Sequence, residues 1–85
     1  MTELNEKPVL VLFHTLTDAD CAEVRRAIIH YNLQDRVQFR NIDRSEDATN
    51  ELVKIQGNKQ VPVLTSPRHH LIGKKEILAF LVSLV

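Results

Sequence analysis

The sequence predicts an α/β domain: a four-stranded mixed sheet with helices on both faces, in the order β-α-β-α-β-β-α. Three observations carry this prediction. An apolar run at Pro8–Phe13 leads directly into a stripe of apolar residues at three- and four-residue spacing. A second strand-then-helix pair repeats that order over residues 37–56. Two further strand patterns then lie one turn apart, ahead of a last helix. Strands joined by a helix should run parallel with a right-handed crossover, and strands joined by a turn should run antiparallel.

The first strand, Pro8–Phe13, shows no alternation and reads as buried on both faces. A helix follows over residues 19–31. Thr17 or Asp18 caps it, Asp20 and Glu23 favour its positive end, and Cys21, Val24, Ala27, Ile28 and Tyr31 form its apolar stripe. Glu23, Arg25 and Arg26 fall on the opposite face, and Asn32, which tolerates left-handed backbone, is the stop. Val37–Ile42 alternates apolar and polar, as a strand with one exposed face does. Ser45 caps a helix over residues 46–56 that turns Ala48, Leu52 and Ile55 inward, and Gly57 ends it. Val61–Thr65 is the third strand, Ser66-Pro67 the turn, and His70–Ile72 a short fourth strand. Gly73 closes that strand. Lys74–Leu84 is the last helix, burying Ile77, Leu78, Leu81 and Val82.

Eighty-five residues make one domain, residues 1–85, with 1–7 expected as a short frayed leader. Hydrophobic residues at 44% and charged residues at 26% are the balance of a folded globular chain. Eleven basic and eleven acidic side chains cancel, which removes the electrostatic footprint of a nucleic-acid binder. No apolar run is long enough to span a membrane, and the leader has no basic-then-apolar signal pattern, so a cytoplasmic location is expected. A single Cys excludes an internal disulfide and agrees with a reducing compartment.

The chemistry centres on Thr17-Asp18-Ala19-Asp20-Cys21, a turn that follows the first strand and opens a helix, and on Gln60-Val61-Pro62-Val63-Leu64 later in the chain. Strand, turn, Cys at a helix start and a later Val-Pro opening a strand resemble a glutaredoxin, most closely the short bacterial glutaredoxin-like proteins. The resemblance covers residues 8 to 84 and implies the minimal thioredoxin fold with Pro62 cis. It also shows a degenerate site. Asp18 stands where the attacking Cys of Cys-x-x-Cys stands in that family, and only the second position is kept, as Cys21. The family's Gly-Gly-x-Asp-Asp, which holds the glutamyl end of glutathione, is reduced to Ile72-Gly73-Lys74-Lys75-Glu76, where only Gly73 and Glu76 fit.

Each candidate residue has two readings. Cys21 is either a reactive thiol, favoured by the helix dipole and opposed by Asp18 and Asp20, or a buried structural Cys on the apolar stripe. Asp18 is either a general base or ligand-orienting group, or simply the helix cap. The resemblance implies that the Val61 backbone beside cis Pro62 turns outward near residues 18–21, where an extended peptide or glutathione can pair with it. His14 is expected to line that groove. Lys74 and Lys75, at a helix start and close in sequence to Arg68, His69 and His70, either attract a carboxylate or phosphate or are solvated surface. Adjacent histidines on a strand point to opposite faces, and neither Cys-x-x-Cys nor His-x-x-x-His spacing occurs, so no metal site is expected.

The resulting reading is a glutaredoxin-like protein of cell redox homeostasis, at most a monothiol oxidoreductase. It would form a mixed disulfide through Cys21 with glutathione or a protein thiol. Dithiol disulfide reduction is not expected of it. The rival reading is a non-catalytic module that binds a peptide or protein along the cis-proline groove. A third, a glutathione-transferase-like N-terminal domain, would require a helical domain beyond these 85 residues.

Overall fold

The apolar run becomes the first strand, β1 (Leu10–His14), of a sheet that the computed structural model describes from residue 10 to residue 85. Pro8 and Val9, assigned by sequence to the same strand, and the expected leader lie outside the described residues. The remaining elements are α1 (Ala19–His30), β2 (Val37–Asn41), α2 (Glu46–Gln56), β3 (Val63–Ser66), β4 (His69–Ile72) and α3 (Lys74–Ser83). This is the expected order, with one addition: a 3-10 turn, Gln34–Arg36, leading into β2.

The sheet order is β2-β1-β3-β4. β2 pairs parallel with β1, Leu10 beside Val37 and Leu12 beside Phe39, whereas β3 pairs antiparallel with both β1 and β4. Because side chains alternate along a strand, β1 feeds two cores. Leu10 and Leu12 face α1 and α3 and join Val24, Ile28, Leu64, Ile77 and Leu81 in the larger cluster. Phe13 faces α2 and packs with Leu52 and Val63 in the smaller one. The central position of β1 thus explains the absence of alternation in its sequence.

Helix ends follow the local chemistry. Asn32, at φ 59°, closes α1 with two reciprocal bonds, Leu33 N–H to the Ile28 carbonyl and Asn32 N–H to the Ile29 carbonyl, and Leu33 and Ile28 meet in the core. The Ser45 hydroxyl accepts from the Ala48 amide at 3.1 Å, and Gly57, at φ 84°, ends α2.

Four sequence assignments are corrected. Ile55, expected inside, is 45% exposed, because the inner ridge of α2 runs Ala48–Leu52–Gln56 and Gln56 turns its amide onto Asn58 and the Gln60 carbonyl. Val82 is 52% exposed, because α3 presents Ile77 and Leu81 to the core with Phe80 and Leu84 beside them. The third strand begins at Val63, since Val61 and Pro62 lie outside the ladder. Ser66 is still in β3, opposite His69, so the hairpin turn is Pro67-Arg68.

Candidate functional site

The antiparallel register of β1 and β3 sets Phe13 opposite Val63. Just before that pair, Val61 packs on the Phe13 cluster, at the end of β1 that leads into the Asp18–Cys21 turn. β4 is set against β3 likewise: Val63 faces Ile72, and the Gly73 amide donates to the Pro62 carbonyl at 2.9 Å. Three chain segments, the turn, Val61-Pro62 and the start of α3, therefore meet at one end of the sheet.

Asp18 is the N-cap of α1. Its carboxylate accepts from the Cys21 amide at 2.9 Å, with Asp18 in extended backbone as a cap requires. Cys21 is fully buried, with no solvent exposure. Burial raises its thiol above the ordinary range; polar contacts from Thr15 oppose this, and the neighbouring Asp18 carboxylate adds to it.

His14 is only 5% exposed and does not line a surface. It alternates to the α1 side of β1, where Arg25 Nη1 lies 3.0 Å from its Nδ1 and 2.7 Å from the Thr15 carbonyl oxygen. A guanidinium only donates, so Nδ1 accepts and His14 is the neutral tautomer with its proton on Nε2. Burial, then the positive charge of Arg25, lowers the His14 pKa. Phe39 stands edge-on to the imidazole with ring centres 5.8 Å apart.

Arg25 is the residue that sequence reasoning missed. Its place among the charged residues of α1 suggested the solvent face, yet its head folds back over the loop that precedes the helix. The signal was its spacing of four from Cys21, which sets both on one side of α1.

The basic residues do not act as one cluster. Lys74 Nζ lies 2.7 Å from Glu23 Oε1 and 3.6 Å from Asp20 Oδ1, so the cation expected to meet a ligand is held by two carboxylates of α1. The bond to Lys74 draws the Glu23 pKa down and raises that of Lys74. Lys75 is exposed in the first turn of α3. Arg68, His69 and His70 belong to the β3–β4 hairpin at the opposite end of the sheet, as the Ser66–His69 pairing requires.

Val61 is the open element. Among the described residues its N–H and C=O have no backbone partner, its side chain packs on the Phe13–Leu52–Val63 cluster, and the peptide bond to buried Pro62 is cis. Gly73, at φ 95°, has open space where a Cβ would stand, so its backbone conformation rather than crowding favours glycine there. The arrangement is a shelf. An open depression of about 660 Å³ along the outer side of α1 and two smaller ones beside the β3–β4 hairpin include neither Asp18, Val61 nor Gly73. Among the described residues no three His, Cys, Asp or Glu side chains converge as a metal site, and no helix is long and apolar enough to cross a membrane.

Solved structures similar to this chain are glutaredoxins. One from Archaeoglobus fulgidus is 17% identical, with a TM-score of 0.69 over 91% of this chain and 88% of that one. Wheat glutaredoxin is 18% identical, with a TM-score of 0.68 over 93% of this chain and 79% of that one. A buckwheat glutaredoxin–glutathione complex is 18% identical, with a TM-score of 0.64 over 89% of this chain and 77% of that one. No protein-family model matches the sequence, and no curated protein is significantly similar to it. Likeness at this level of identity is likeness of fold: the chain has the glutaredoxin-like thioredoxin fold.

Proposed function

We propose that this protein is a glutaredoxin-like binding module that holds an extended, thiol-bearing peptide such as glutathione along Val61-Pro62 without dithiol catalysis. The observation that carries the reading is the division of the site. The Val61 N–H and C=O are unpaired among the described residues, while the Cys21 sulfur is sealed from solvent. An extended ligand can add to the Val61 backbone as a strand adds to a sheet edge, and this requires no nucleophile. The glutathione complex of the similar buckwheat protein supports that choice of ligand. Cys21 is the only sulfur besides Met1, so no second thiol can resolve a mixed disulfide within the chain. A cytoplasmic, reducing location belongs to the same proposal.

A second reading keeps Cys21 as a monothiol redox residue, with Asp18 in the place of the attacking Cys. It is favoured by the place of Cys21 in the first turn of α1, where the helix dipole favours a thiolate. It requires the turn to open, because the sulfur has no exposed surface.

Titration of amide-labelled protein with reduced glutathione tests the binding reading. The expected result is saturable shifts at Asp18, Val61 and Gly73 and at Lys75, with weak affinity, since an exposed charge contact contributes under about 1 kcal/mol. Shifts confined to other residues, or none at millimolar glutathione, would remove glutathione as the ligand. Reaction of Cys21 with a thiol probe against pH separates the two readings. Slow modification up to the ordinary thiol range supports the binding module, and rapid modification well below it supports the monothiol.

A further inference from the structure

We infer that the His14–Arg25 contact is an acid-released latch on the loop between β1 and α1, and that protonation of His14 uncovers Cys21 while the domain stays folded. Apart from Cys21, His14 is the only buried ionisable side chain among the described residues. Its Nδ1 and the Thr15 carbonyl oxygen share one nitrogen, Nη1 of Arg25, at 3.0 and 2.7 Å. Thr15 is also a polar neighbour of the Cys21 sulfur, so the guanidinium ties the imidazole to the loop that covers the thiol. The three side chains come from the end of β1 and from two turns of α1, and only the packing of α1 on the sheet brings them together.

The latch holds in one protonation state only. A guanidinium keeps its protons, so Nδ1 must offer a lone pair for the contact to exist. A proton on Nδ1 removes that acceptor and sets two cations 3.0 Å apart. Nothing around them supplies the missing negative charge. Arg25 is the one charged side chain whose field acts on His14. Of the nearby carboxylates, Asp18 is bound to the Cys21 amide, Asp20 and Glu23 hold Lys74, and Glu51 of α2 holds Arg40 of β2. On the β2 side the imidazole meets the Phe39 ring, and Val61, Pro62 and Val63 ahead of and within β3 carry no charge. A buried, unpaired charge is costly, so the two cations separate. Arg25 is half-buried on a long flexible stem and turns to water, leaving the Thr15 carbonyl without its donor. The Asp18 cap and both cores include neither His14 nor Arg25, so the helix and sheet persist. The latch works in the same way whether the Val61 shelf holds glutathione or Cys21 does redox chemistry.

The test is the rate at which Cys21 of the full chain reacts with dithiodipyridine, a disulfide that thiols still attack in acid. The Cys21 sulfur forms a new S–S bond, the S–S bond of the probe breaks, and a pyridinethione leaves. Protection is the rate of N-acetylcysteine divided by that of Cys21 at the same pH. Below the ordinary thiol pKa of about 8.5 both rates scale alike with pH, so the ratio reports access. Protection is expected to be high at about pH 7.5 and to fall at least about tenfold by about pH 4.5. One proton is bound, so the fall is at most about tenfold per pH unit, and the amide shifts of Leu52 and Ile77 should stay in place. His14→Asn should remain protected throughout, and Arg25→Met should be unprotected at every pH. Protection that is flat in the wild type, or that falls equally in His14→Asn, overturns the latch. So does a protected Arg25→Met. Loss of the folded spectrum over the same pH range would mean acid unfolding and also overturn it. Rapid reaction at about pH 7.5 in both the wild type and His14→Asn would mean a thiol that was never covered, with the same result.

Discussion

On the rim formed by residues 15–21, the Asp18 carboxylate is bound to the Cys21 amide, the Thr15 carbonyl is bound to Arg25, and the sulfur has no solvent exposure. On the rim formed by Val61 and Pro62, the Val61 amide and carbonyl have no backbone partner among the described residues. The second rim rests, through the Val61 side chain, on a cluster of only three buried side chains, Phe13, Leu52 and Val63. The difference teaches where this site can meet a ligand. Side chains that would do chemistry have structural partners, whereas the backbone that would do recognition is left open.

The comparison breaks most readily from its weaker side. Leu52 is fully buried between α2 and the sheet in that three-residue cluster. Leu52→Ala should cost about 2–5 kcal/mol in urea unfolding, and it should increase amide exchange at Val61 more than at Cys21. Equal loosening of both rims would show that one core supports them together.

Arg25→Met tests the other rim. It retains much of the aliphatic stem but leaves the Thr15 carbonyl and His14 Nδ1 without their donor. The expected loss is about 1.5–3 kcal/mol, typical of a hydrogen bond to a charged group. Faster labelling of Cys21 should accompany it. A stable variant whose thiol remains protected would mean that Asp18 and the core alone hold the turn.

A pH profile sharpens the contrast further. The folded pKa of His14 is lowered, so between that value and the unfolded one, about 6.5, the unfolded chain binds more protons. Stability from this group is therefore complete above about pH 6.5 and is lost as pH falls through the folded value. Protonated His14 would also set a second cation against Arg25. His14→Asn offers Arg25 an acceptor that cannot titrate, and its stability should vary less than that of the wild type between about pH 7 and 5. Identical slopes would exclude His14 as the source.

The smallest effect concerns Lys74. In Lys74→Gln the Glu23 carboxyl should titrate at higher pH than in the wild type, followed by its side-chain carbon shift, because the bond to Lys74 is what lowers it. Turn and shelf residues should be unaffected. An unchanged Glu23 titration would mean that the contact is not maintained in solution.

Much of this was legible in local patterns. The Asp18, Ser45 and Asn32 signals act within one turn of chain, and each appears where the sequence puts it. The element order was equally plain, because the change from an unbroken apolar run to three- and four-residue spacing reports how many faces an element buries. Face assignments near helix ends were less reliable. Ile55 and Val82 fit a helical stripe, yet both lie where the helix runs past its core.

The sequence by itself determined the fold class, the caps and the absence of a second thiol, since these depend on residue type and near-neighbour spacing alone. Only the tertiary structure decided that Arg25 turns inward onto His14 and Thr15, that Lys74 is held by Asp20 and Glu23, and that Arg68–His70 and Lys74–Lys75 separate to opposite ends of β4. Long charged side chains reach several ångströms from their own backbone. Their partners are chosen by which elements the sheet register sets side by side, and periodicity along one element carries no record of that choice.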